Sequence, residues 1–289
     1  RTGADGWNLI GNPYPAAIDW DLVFVNAISL DNLVQIYDQT INDYAIYNGT
    51  TPASSTGQLF GSGGVLSSTQ GFWVHSTAGT PSLTFRETHK SSTTSRPLVK
   101  EKPDYYADNC IHLFLRTPMM KNACESVINF IDGSSADADE QDVVFMRSPD
   151  KKTPSFTPLS ADGKKLRITI LDGNQPKLDI PIVSGIHVPG TYILDFKGIN
   201  SLTQHSCVYL EDVDAGKFIN LTKENSYTFT HNDISKEHKF ILHFSNDSEN
   251  CERSASTLQA LLSYFTFISY SDDGVYANFN FSEQTDVRM

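Results

Sequence analysis

Nine residues, Ser134–Asp142 (SSADADEQD), hold the densest run of hard oxygen donors in the chain. Asp137, Asp139 and Asp142, with Glu140 between them, place carboxylates within one short turn, the donor type that Ca²⁺ selects. The turn lacks the mid-loop glycine and terminal bidentate glutamate of an EF-hand, so the alternative is a solvated acidic turn. Other chemistry is thinner. Ser62 lies in FGSGG, where Phe60 stands in place of the first glycine of a G-x-S-x-G elbow, which makes this stretch a loop. No HExxH, Walker or dinucleotide-binding glycine pattern occurs. His238 and His243 are five apart in a strand-like segment, hence on opposite faces, and cannot share a ligand.

Four cysteines, Cys110, Cys124, Cys207 and Cys251, allow three pairings, and none forms CxxC. Cys110 opens the strand-like IHLFLR segment and Cys124 precedes SVINF. A hairpin centred near Thr117 would set the two opposite each other. Cys207 opens one strand and Cys251 follows another. The expected pairs are Cys110–Cys124 and Cys207–Cys251; four buried thiols are the alternative.

Aromatic residues gather in the first ninety positions, where all three tryptophans lie: Trp7, Trp20 and Trp73. Some must build a core. An exposed one could stack on a sugar ring, so the three form a candidate glycan platform.

The elements that position these groups are strands. Ile111/Leu113/Leu115, Leu166/Ile168/Ile170, Tyr192/Leu194/Phe196 and Phe240/Leu242/Phe244 each put apolar side chains on one face, with polar residues between. Gly, Pro, Asn and Asp turns separate them, as in antiparallel sandwiches. VQIYD and DYAIYNG flank a short connection and predict a hairpin. The expected fold is all-β: two antiparallel β-sandwich domains, jelly-roll or Ig-like, with a β segment after them. The polar run HKSSTTSRPLVKEKPD and the break near NDSENCERSAST divide the chain into a first module at 1–90, a linker at 91–104, a second module at 105–246, a linker at 247–257 and a segment at 258–289.

The balance of 22 basic against 34 acidic side chains leaves a net charge of −12, which argues against a nucleic-acid footprint. No run of about 18 apolar residues suggests a membrane-spanning helix. The chain opens on Arg1 with no charged and apolar leader, as expected of a fragment of a longer mature protein.

The segment GWNLIGNPYPAAIDW (Gly6–Trp20) resembles the opening of a module common near the C-termini of large secreted and cell-surface proteins of the Bacteroidota, exported by the type IX secretion system. QGFWVHS with SLTFRETHK resembles that module's ending. IHLFLR, LRITILDG, IPIVSGIHVPGTYILDF, VYLEDVDAGKFINLT and HKFILHFS resemble the sandwich that commonly follows it. DDGVYANFNF with DVRM resembles the first strands of a type IX C-terminal sorting domain, which would continue past Met289. The resemblance implies a non-catalytic region, secreted or on the outer surface, that spaces or presents an adhesive or enzymatic part upstream. A complete sorting domain would engage the export machinery. It implies no enzyme and no cofactor apart from the Ca²⁺ considered above. The alternative is a carbohydrate-binding or adhesive module working through the first-module aromatics.

Overall fold

The computed structural model describes residues 6–49, 64–77, 79–92, 108–119, 122–246, 268–271 and 274–277. In chain order the first module contributes β1 (Trp7–Gly11), β2 (Ile18–Asp19), α1 (Trp20–Phe24), β3 (Leu33–Asp38), β4 (Asp43–Asn48), β5 (Val65–Leu66) and β6 (Gly71–His75). The second contributes β7 (Cys110–Arg116), β8 (Ala123–Phe130), β9 (Val143–Val144), β10 (Ser155–Pro158), β11 (Leu166–Leu171), β12 (Lys177–Gly185) and β13 (Gly190–Lys197), then β14 (Cys207–Asp212), β15 (Lys217–Asn220), β16 (Ser226–His231) and β17 (His238–Ser245). The fold is all-β, and its one α-helix among the described residues is the five-residue α1.

Period-two alternation explains the layers. In the second module a six-stranded sheet, ordered β16-β13-β7-β8-β11-β9, faces a five-stranded sheet, ordered β10-β12-β17-β14-β15. Leu113, Leu115, Ile128, Phe130, Leu194 and Phe196 of the first sheet meet Ile180, Ile182, Leu210, Phe240, Leu242 and Phe244 of the second in one apolar core. This is a β-sandwich. Its neighbours are antiparallel apart from β8 and β11, which run parallel with Val127 opposite Ile168.

The first module has its own four-stranded sheet, β1-β6-β3-β4. The predicted hairpin is β3–β4, with Asp38 opposite Asp43. One face of this sheet buries Val34, Ile36, Ala45, Tyr47, Phe72 and Val74 against Ile18, Trp20 and Val23. The other face sends Leu33, Tyr44 and Ile46 onto Cys110, Val127, Ile168 and Ile170, the outer face of the six-stranded sheet. Residues Arg1–Asp247 accordingly form one compact unit. The two segments expected as separate domains each have a core and also share a third. Of the expected linkers, 93–104 and 247–257 lie outside the described residues.

The tip of the β3–β4 hairpin is plugged into the second module. Asn42 takes a left-handed backbone, φ 55°, at the turn. Its carbonyl accepts from Ser148 Oγ at 2.5 Å and Thr153 Oγ1 at 2.8 Å, and Ala123 N donates to Ile41 O at 3.1 Å. Asp43 pairs with Arg167, both almost fully buried.

Residues Ser248–Met289 form a second unit. Within it β18 (Ile268–Ser271) and β19 (Gly274–Ala277) pair antiparallel, with Ser271 opposite Gly274. Among the described residues no helix is long and apolar enough to cross a membrane.

Candidate functional site

The segment that carries the family resemblance folds as an edge strand and a clasped turn. Strand β1 pairs along its length with β6, Trp7 opposite His75 and Gly11 opposite Gly71. Asn12 then closes the turn that Pro13 and Pro15 stiffen. Its backbone N donates to Gln70 O at 2.9 Å, its amide nitrogen to Ala16 O at 2.8 Å and Ser67 O at 2.9 Å, and its amide oxygen accepts from Tyr14 N at 2.9 Å. A buried side-chain amide with three partners holds distant backbone together, the work that a buried polar group must do to repay its desolvation.

The three tryptophans separate. Trp20 is fully buried, stacks edge-on against Phe72 and donates its indole N–H to Asn32 Oδ1 at 3.1 Å. It is a core residue and leaves the candidate platform. The acidic residues beside it misdirect the sequence reading, because Asp19 caps α1 by accepting from Asp21 N while Trp20 turns inward. Trp7 and Trp73 are half-buried on one face of the β1–β6 pair and pack against the core shared with the second module, with Leu9, 61% exposed, opposite Trp73. Next to Trp7, His75 Nδ1 lies 2.5 Å from Asp31.

Two carboxylates of the acidic loop, Asp139 and Asp142, accept from backbone amides. Asp142 is buried, and its oxygens accept from Asp139 N at 3.0 Å and Ile170 N at 2.8 Å. Burial pushes its carboxyl up to about 6, those two amides pulling the other way. Asp139 accepts from Gln141 N, and Asp137 N donates to Ser135 Oγ. Among the described residues no group of three His, Cys, Asp or Glu side chains is assembled to hold a metal ion.

The cysteine expectation needs correction. Cys110 and Cys124 are thiols, not a disulfide. The β7–β8 hairpin is centred two to three residues beyond Thr117, so Arg116 faces Ala123, Leu115 faces Cys124 and Cys110 faces Asn129. Alternation then sends the two sulfurs to opposite faces of the sheet. Cys207 is disulfide-bonded; Cys251, the partner expected for it, lies outside the described residues, as does Ser62.

Sequence reasoning missed what those two thiols sit beside. Cys110 Sγ lies 3.6 Å from His112 Nε2, and His112 Nδ1 lies 2.7 Å from Glu125 Oε1. That is the order of groups in a thiol–imidazole–carboxylate relay. The i, i+2 spacing of Cys110 and His112 on one strand was the available signal. All three are buried, at 0%, 3% and 4% exposure, beneath the seam between the modules, with no access for a substrate. Cys124 receives Arg167 Nη1 at 2.8 Å. Burial pushes its thiol up to about 12 against the pull of that guanidinium, so it stays protonated and unreactive.

Histidine–carboxylate pairs recur across strands. His243 sits between Asp179 at 2.6 Å and Glu211 at 2.9 Å, while His238 faces the other way, 2.7 Å from Asp212. The two histidines do occupy opposite faces. Asp212 is held below the usual carboxylate range: burial raises it, but the bonds from His238, Ala215 N and Tyr227 outweigh burial.

Compared with known proteins, residues 1–244 match the model of a family described as Domain of unknown function (DUF8693). The chain belongs to this family. No curated protein and no solved structure matches it. The family match spans both modules, as does the compact unit.

Proposed function

We propose that this member of the DUF8693 family is a non-catalytic region of an exported protein, secreted or held on the outer cell surface, which spaces or presents a functional part of the same protein. The observation that carries the reading is what the signature residues do. Trp7, Gly11, Asn12 and Pro13 go into an edge strand and a clasped turn, so the feature shared with exported type IX modules is architectural. The Cys207 disulfide supports folding in an oxidising compartment. The thiol, imidazole and carboxylate groups that could do covalent chemistry support it too, since they are buried in inter-strand contacts. On this reading the segment at 258–289 begins a sorting signal that engages the type IX export machinery. The test follows the full gene product in a type IX-competent cell and in an isogenic export mutant. Surface exposure in the first and periplasmic retention in the second is the expected result; equal distribution in both would overturn it.

A second reading rests on the half-buried Trp7 and Trp73 flanking exposed Leu9: a small apolar strip on which a polysaccharide ring could stack. Affinity electrophoresis in gels cast with bacterial and host polysaccharides, with Trp73→Ala as comparison, decides it. Retardation that the variant loses supports a glycan platform.

A further inference from the structure

The relay of Cys110, His112 and Glu125 lies under the first module and is built entirely by the second. Cys110 and His112 alternate on one face of β7, and Asn129, Val127 and Glu125 of β8 stand beside Cys110, His112 and Phe114 on that same face. It is the face turned to the first module, because Cys110 and Val127 pack with Leu33, Tyr44 and Ile46 in the shared core. Cys124, opposite Leu115, points the other way, into the sandwich. One thiol is covered by a neighbouring module, the other by the sheets of its own.

The seam is the weaker of the two covers. Between Leu33 and Tyr37, which both pack into the shared core, alternation turns Gln35 the same way. It is fully buried, and neither its amide oxygen nor its amide nitrogen has a hydrogen-bond partner. An unpaired buried amide costs about 1–3 kcal/mol, a cost that vanishes when the seam opens to water. The bonds from Ser148 and Thr153 to the Asn42 carbonyl exchange for water in the same motion. Opening leaves the relay assembled, since its three members sit on the paired strands β7 and β8. Glu125 Oε1, 2.7 Å from His112 Nδ1, holds the imidazole proton there and leaves the Nε2 lone pair toward Cys110 Sγ, 3.6 Å away.

We propose that the first module is a cover over a reactive thiol, and that its undocking presents Cys110 as the nucleophile of thiol–disulfide exchange. The Cys110 proton passes to His112 Nε2, and the thiolate attacks one sulfur of an incoming disulfide. A new S–S bond forms, the old one breaks, and the departing thiolate takes up the proton held by His112. The incoming disulfide is itself the oxidant. The docked state is closed, so this activity goes beyond the architectural reading and leaves it intact. The probe is dithiobisnitrobenzoate, an aromatic disulfide with a coloured leaving thiolate; peptide mapping assigns the modified cysteine. Ile46→Asp places a charge in the seam from the first module's side. Cys110 reacts in the native wild type and roughly tenfold faster in Ile46→Asp, while Cys124 stays unmodified in both. Adding His112→Gln to Ile46→Asp slows Cys110 about tenfold and leaves hydrogen-exchange protection of β7 and β8 unchanged, so the loss is chemical. Equal reactivity of the two thiols, a Cys110 in Ile46→Asp as slow as in wild type, or a His112→Gln protein as fast as its parent would each overturn the proposal. Should Ile46→Asp not fold, wild type in sub-denaturing urea decides. Modification of Cys110 then rises less steeply with urea than that of Cys124, because a local opening exposes less surface; equal slopes overturn the proposal.

Discussion

The sandwich core and the hairpin plug hold the same molecule together by opposite means. The core between the six- and five-stranded sheets is apolar and redundant: Phe156, for instance, meets Phe196 and Phe240 edge-on, and many neighbours share the load. The plug is polar and singular. Arg167 reaches Asp43, the Tyr44 carbonyl and the Cys124 sulfur, and each of those groups has few substitutes. Apolar burial rewards any close packing. A buried ion pair is stable only with its own partner in place, because either charge left alone keeps its full desolvation cost. The core therefore supplies stability, and the plug fixes where the first module sits.

Breaking the plug on one side should give the largest effect. Arg167→Met leaves Asp43 buried and unpaired and is expected to cost about 3–5 kcal/mol in urea unfolding. The double change Arg167→Met with Asp43→Leu should recover most of that loss; additive losses would show that the pair does not act as a unit. Removing the Cys207 bridge by Cys207→Ser should cost roughly 2–4 kcal/mol, read as a lower urea midpoint that reductant no longer shifts. In the core, Ile128→Val should cost only about 0.5–1.5 kcal/mol. A loss as large as that of Arg167→Met would break the contrast between a redundant core and a singular plug.

Asp142 sharpens the comparison through pH. Its folded pKa is raised to about 6 from 3.8, so the unfolded chain releases this proton first. Its contribution to stability is present below pH 4 and is lost as pH rises through about 6. Asp142→Asn should remove that component, so the stability difference between wild type and variant should change across pH 4–6 and level off above it. Asp212, whose pKa is depressed, works the other way and loses its contribution as pH falls below 3.8. The smallest effect is expected at the exposed end of the same loop. Asp137→Asn should shift stability by less than about 0.5 kcal/mol, and millimolar Ca²⁺ should leave the midpoint in place, because Asp142 commits both oxygens to backbone amides. A clear rise with Ca²⁺ that Asp137→Asn abolishes would restore the loop as a cation site.

Alternation made the strands legible, as well as the β3–β4 hairpin and the opposite facing of His238 and His243. It carries no information on register across a turn of unknown length. For that reason Cys110 and Cys124 seemed opposed when Leu115 is the residue facing Cys124. Nor does it report partners distant in sequence. On β8, Glu125, Val127 and Asn129 alternate like a half-polar outer face, yet all are buried, Val127 in the core shared with the first module. The parallel β8–β11 pairing left no local trace for the same reason. The Cys110–His112–Glu125 contact needed both the strand spacing and the register, and only the first was written in one segment.

The plug also imposes an order in time. The β3–β4 hairpin leaves a ribosome before the second module does, and it is local enough to form at once. Its docking site is not: Ala123, Ser148, Thr153 and Arg167 all come later in the chain. At the usual pace of synthesis, roughly 5–20 residues per second, the apolar face bearing Leu33, Tyr44 and Ile46 waits seconds or longer with nothing to cover it. A holding chaperone has its natural target in that interval, and a ribosome stalled before Arg167 would leave a nascent chain with its adhesive side outward.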